Sequence, residues 1–154
     1  MTTQPNATRN RPAVRPRRTH SGAAVLEMSM VLVMLVTLTT GAVEFGDAYF
    51  KKNTLQGAAR EGARRAIISN ATVADATAAA RAVLTAAGIA TTVGTIEVRR
   101  EDTKTVVGDL SLVPTGTAIQ VRVYATWQSI GISPMGLLDR TKVINGVAIM
   151  RKEG

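Results

Sequence analysis

The chain has 154 residues and a mass of 16.3 kDa, room for one ordinary domain and an appendage. Hydrophobic residues at 45% exclude a wholly disordered chain, and the lack of cysteine excludes disulfide frameworks, thiol catalysis, thiolate zinc sites and iron–sulfur clusters. A single histidine excludes mechanisms that need two, and 3% aromatics argues against a base-stacking platform, so the net charge of +8 is informative chiefly through its placement.

Residues 1–22 hold Arg9, Arg11, Arg15, Arg17 and Arg18 and no acidic residue. With Pro5, Pro12 and Pro16 among them, this is a basic leader with too little apolar surface to order itself. Residues 23–43, AAVLEMSMVLVMLVTLTTGAV, follow with one charge, Glu27. At about 1.5 Å per residue such a helix spans roughly 31 Å, the thickness of a bilayer core. Val31, Leu32, Val33, Met34, Leu35 and Val36 leave no polar face, so a transmembrane helix is expected and not an amphipathic one. The arginines place its N-terminus in the cytoplasm and residues 44–154 outside, as an extracytoplasmic domain. A conventional signal peptide is the competing reading. The apolar stretch is long for one, and Thr40-Gly41-Ala42 is a poor cleavage site.

Helical spacing continues over residues 44–68, with Phe45, Tyr49, Leu55, Ala59, Ala63 and Ile67 as the apolar face. Gly57, Ala58, Ala59, Gly62, Ala63 and Ala66 form a small-residue stripe. It reads equally as a site of close helix approach or as a merely alanine-rich sequence. Thr72 and Asp75 form a capping box for a second helix reaching about Ala87, with Val73, Ala76, Ala80, Val83, Leu84 and Ala87 on one face. Gly88 suits the position just past its end. The period then changes to two. Ile96 and Val98 alternate with polar residues, Glu101-Asp102 reads as a hairpin turn, and residues 104–107 are its return strand. A strand over 117–127 turns Ile119, Val121, Val123, Ala125 and Trp127 to one side. Residues 133–136 are a loop. A last strand over 141–150 is apolar on both faces and is expected at the sheet centre or covered on both sides. The fold class is α+β: a long N-terminal transmembrane helix continuing into an amphipathic one, a second helix, then a small antiparallel β-sheet.

No nucleophile elbow, phosphate loop or dinucleotide fingerprint occurs, so neither an enzyme nor a bound cofactor or metal is expected. His20 lies in the leader and Glu101-Asp102 reads as a solvated turn. The arginine leader alone would give salt-sensitive, non-specific nucleic-acid affinity, and membrane topology already accounts for it. Glu27 is the informative residue. A charge at the centre of a membrane helix costs about 2.5–3.5 kcal/mol, and less near the edge, so it is either protonated near the headgroups or paired. Cutting the chain after Gly22 would provide the partner, a free α-ammonium on Ala23.

Gly22-Ala23-Ala24-Val25-Leu26-Glu27 behind a basic leader resembles the class III signal of type IV pilins. Glu44-Phe45-Gly46, then Ala58-Ala59-Arg60-Glu61-Gly62-Ala63-Arg64, is similar to the TadE-like family of the tight adherence (Tad) pilus system. The terminal Ala148-Ile149-Met150-Arg151 resembles that family too. Met28 stands where pilins of that system usually carry an aromatic. The resemblance implies a pilin-like fold and a minor pilin or pseudopilin in the cytoplasmic (inner) membrane. It also implies cutting between Gly22 and Ala23 by a prepilin peptidase. The implied partners are other pilin or pseudopilin subunits and the Tad assembly machinery for Flp-type pili.

Overall fold

A computed structural model describes residues 21–89 and 94–153. Residues 1–20, which hold the five leader arginines and His20, lie outside the described residues. The chain divides into two units, residues 1–36 and 37–154. Helix α1, Ser21–Ala66, is 46 residues long and contains no proline to break it. It is long and apolar enough to cross a membrane, and its most apolar stretch has mean hydropathy 2.0 with none of it buried. Within that stretch the Ser29 hydroxyl donates back to the carbonyls of Val25 (2.7 Å) and Leu26 (3.0 Å), so a polar side chain is satisfied without water.

In the unit of residues 37–154, α2 (Val73–Ala86) is fixed at both ends by its own sequence. The Thr72 hydroxyl accepts from the Asp75 N–H (3.1 Å), and the Asp75 carboxylate accepts from the Thr72 N–H (2.9 Å) and its hydroxyl (2.8 Å). Those donors hold the Asp75 carboxyl below the usual carboxylate range. At the other end Gly88 takes φ +71°, its N–H donates to the Thr85 carbonyl and the Ile89 N–H to that of Leu84. This Schellman arrangement buries Ile89 over the last turn.

Three strands follow, β1 (Thr95–Arg100), β2 (Ala118–Thr126) and β3 (Val143–Arg151), antiparallel in the order β1-β2-β3. The register sets Val98, Val121 and Ala148 side by side, and Ile96, Val123 and Gly146 beside them, so one face carries the apolar side chains. Leu55, Ala58, Ala59, Ala63 and Ala66 of α1 and Ala76, Ala80 and Leu84 of α2 share the core with that face. Glu97, Tyr124 and Arg99 occupy the other face. There the Tyr124 hydroxyl donates to Glu97 (2.8 Å), Arg99 pairs with it (2.6 Å), and both hold the Glu97 carboxyl below its ordinary range.

The architecture is the α+β one expected from the sequence, with four local differences. Residues 104–107 make one bridge, Arg99 to Val106, and no return strand. β3 is an edge strand and not the central one: β2 sits between its neighbours, and Val143 and Ile149 of β3 are exposed. Trp127 leaves the strand to open a one-turn helix, α3 (Trp127–Ile130), while remaining buried. Phe45 and Tyr49 are 58% and 70% exposed, so the buried apolar side chains of α1 begin only at Leu55.

Candidate functional site

The small-residue stripe resolves into two parts. Gly62 lies where α1, α2 and β2 meet. A Cβ there would come within 3.2 Å of the Ala76 carbonyl oxygen, the Ala80 methyl and a Val121 methyl. Ala58, Ala59 and Ala63 are fully buried beside it. Close approach is therefore the reason for small residues at these positions. Gly57 has open space where its Cβ would stand and plays no such part. The charged members of the motif point away: Arg60 is exposed, and Arg64 grips Glu61 through two hydrogen bonds of 2.6 and 3.0 Å. That pair lowers the Glu61 carboxyl, but both side chains are solvated and it adds little stability.

Glu44 and Phe45 take positions opposite to those their chemistry suggests. The Glu44 side chain is fully buried, while Phe45 and Gly46 face outward. The two carboxylate oxygens of Glu44 accept the backbone N–H of Leu138 (2.9 Å) and of Met135 (3.3 Å). One turn further along α1, Asp47 accepts the Ile132 N–H (3.0 Å) and faces Lys51 (3.9 Å). One turn back, Leu137 reaches toward Gly41, whose added Cβ would be 3.6 Å from the leucine methyl. The loop of residues 131–139 is thus strapped to three successive turns of one helix by two carboxylates and a leucine. Gly131 fits because a side chain there would overlap the Trp127 indole, whose Nε1–H donates to Ser133 (2.7 Å).

A second strap was invisible to residue spacing. Gly146 of β3 lies directly against α1, where a Cβ would overlap the Leu55 carbonyl group and the Gln56 nitrogen. The Gln56 side-chain amide donates to the Val147 carbonyl (2.6 Å) and accepts the Val147 N–H (3.1 Å). It supplies the edge strand with the two hydrogen bonds a fourth strand would make. The available signal was a glycine inside a strand, which often marks close backbone approach.

The pilin-type positions lie in the unit of residues 1–36. Gly22 and Ala23 fall in the first turn of α1, and Glu27 is exposed one turn on, with no side-chain partner among the described residues. Among the described residues no group of three or more His, Asp or Glu stands close enough to hold a metal.

No curated protein and no solved structure matches the chain. The terminal residues 148–151 fall outside the stretch on which a family is matched. That stretch, residues 22–64, runs from the Gly22 junction through the Arg64 end of the small-residue motif, and it matches the family described as TadE-like protein, the one the sequence resembles.

Proposed function

We propose that this chain is a structural component of Tad pilus assembly, a membrane-anchored minor pilin or pseudopilin rather than an enzyme. The observation that carries the reading is the make-up of α1. One unbroken helix holds an unburied, membrane-length apolar stretch and a small-residue stripe packed on the sheet, and the family-matched segment takes in the first and all but Ala66 of the second. The arginine leader favours an N-terminus in the cytoplasm and residues 44–154 outside. A prepilin peptidase removes residues 1–22 and leaves Ala23 first. Other pilin subunits and the assembly machinery are the partners, with no specific nucleic acid.

In this reading Glu27 works after cleavage. Its carboxylate pairs with the α-ammonium of Ala23, within its own chain at the i,i+4 spacing or in a neighbouring subunit. The net energy of such a pair is small once desolvation is counted, and its main effect is register. A subunit lacking the carboxylate leaves an ammonium unpaired among packed helices. Glu27→Gln is expected to insert in the membrane normally, yet to give several-fold fewer surface pili and weaker crosslinking to the major pilin. Normal piliation with normal crosslinking would remove the pairing mechanism.

A further inference from the structure

We propose that the loop of residues 131–139 is a membrane-contacting foot, seated in the outer edge of the bilayer beside the helix that anchors the chain. The inference rests on the membrane-spanning reading of residues 23–43. Gly41 belongs to the last turn of that apolar stretch, and Leu137 lies against it. The loop therefore descends along α1 from the level of Asp47, where the Ile132 N–H is held, past Glu44, which holds Met135 and Leu138, to Gly41. At about 1.5 Å per residue that descent is roughly 9 Å, similar to the depth to which interfacial segments bury.

Two further features fit lipid and not water. Ile132, Met135 and Leu137 are 59%, 41% and 50% exposed, an apolar cluster on a loop where polar residues are usual. Backbone at membrane depth must have its polar groups satisfied from within, because acyl chains offer no hydrogen bonds. Here Glu44 and Asp47 satisfy three of the loop's N–H groups, those of Ile132, Met135 and Leu138. The burial of Glu44 gains a reason, since the loop shields from lipid the first carboxylate after the apolar stretch. Phe45, Tyr49 and Phe50, exposed just beyond it, are three of the chain's five aromatic residues and stand where an interfacial aromatic belt belongs.

The test uses the absence of native cysteine. Full-length Leu137→Cys, Met135→Cys, Val33→Cys and Leu112→Cys are spin-labelled and reconstituted in vesicles of phosphatidylethanolamine and phosphatidylglycerol. Collision of each label with oxygen, which partitions into lipid, is compared with collision with a water-soluble nickel chelate. Leu112 is 80% exposed on residues 110–112 and reports water; Val33 reports the anchor. The expected result is an oxygen-to-chelate ratio at Leu137 and Met135 several-fold above that at Leu112 and approaching that at Val33. Labels at 137 and 135 as chelate-accessible as that at 112, with Val33 in lipid, overturn the foot and leave the anchor standing. A water-exposed Val33 label overturns the anchor as well. Labels at 137 and 135 shielded from both agents mean that a protein covers the loop, and that also overturns the proposal.

Discussion

Gly146→Val is expected to unfold the domain of residues 37–154 or to leave it only marginally stable. The glycine Cα lies against backbone atoms of α1, the Leu55 carbonyl and the Gln56 nitrogen, and not against a flexible side-chain tip. A side chain can be fitted only by lifting the helix from the sheet. Overpacking a core costs about 1–3 kcal/mol when side chains can give way, and a backbone clash lies at or beyond the upper end. Lifting α1 also breaks both Gln56 hydrogen bonds to Val147, at about 1 kcal/mol each. Against a total stability of about 5–15 kcal/mol, the loss is a large share. Gly146→Ala should come close to the same result, because the Cβ alone overlaps. Gly57→Ala on the same helix should do the opposite. It meets open space, and alanine is favoured over glycine in a helix by about 1 kcal/mol. Thermal unfolding of the full chain in detergent, followed by circular dichroism, separates the two. A Gly146→Ala protein that melts with the wild type would show that α1 does not cross the sheet at this point.

Glu44→Ala is expected to release the loop of residues 131–139 while the sheet stays folded. Its carboxylate is the acceptor for two backbone N–H groups, those of Met135 and Leu138, in a place closed to water. Each buried donor left without a partner costs about 1–3 kcal/mol. Glu44→Gln should be intermediate, since its amide oxygen can accept one N–H while its NH2 group faces the other donor-to-donor. Glu44→Asp is shorter by one methylene and should hold the loop poorly despite keeping the charge. Hydrogen exchange at Met135 and Leu138 reads this directly, with exchange at least about tenfold faster in Glu44→Ala, equivalent to about 1.4 kcal/mol. Unchanged protection at both amides would mean that the loop is held by its apolar contacts alone.

These two positions mark how far residue patterns reach in this chain. The change of period after Gly88, the Thr72 and Asp75 cap and the alternation of Ile119, Val121, Val123 and Ala125 place the second helix and the central strand, because each is a local requirement. Apolar spacing also singles out Phe45 and Tyr49, yet both are exposed while Glu44 is buried. Spacing marks side chains that avoid water; it does not say whether protein or lipid receives them. Nor does it show that a charged side chain can be buried by turning both oxygens to the backbone of a loop about 90 residues away. β3 reads as a covered strand because it is apolar on both faces, but its free edge is matched by a glutamine from a distant helix. Long-range fits of this kind depend on where two segments meet, and no local pattern encodes that. At the pilin-type end, Glu27 stands out as the one charge of an apolar stretch, whereas the cut between Gly22 and Ala23 is suggested chiefly by resemblance, and the helix presents all three exposed, without a geometry that explains itself.

The central claim is that this chain is a pilin-like subunit matured from its leader, and the residue at the N-terminus of the protein recovered from membranes tests it most directly. Intact-mass and N-terminal sequencing of membrane-extracted protein should find Ala23 first in cells with a prepilin peptidase, and the full leader in cells without one. Gly22→Val should retain the leader in both. A chain that keeps residues 1–22 in peptidase-containing cells, or that is cut at the same place without the peptidase, would contradict the claim.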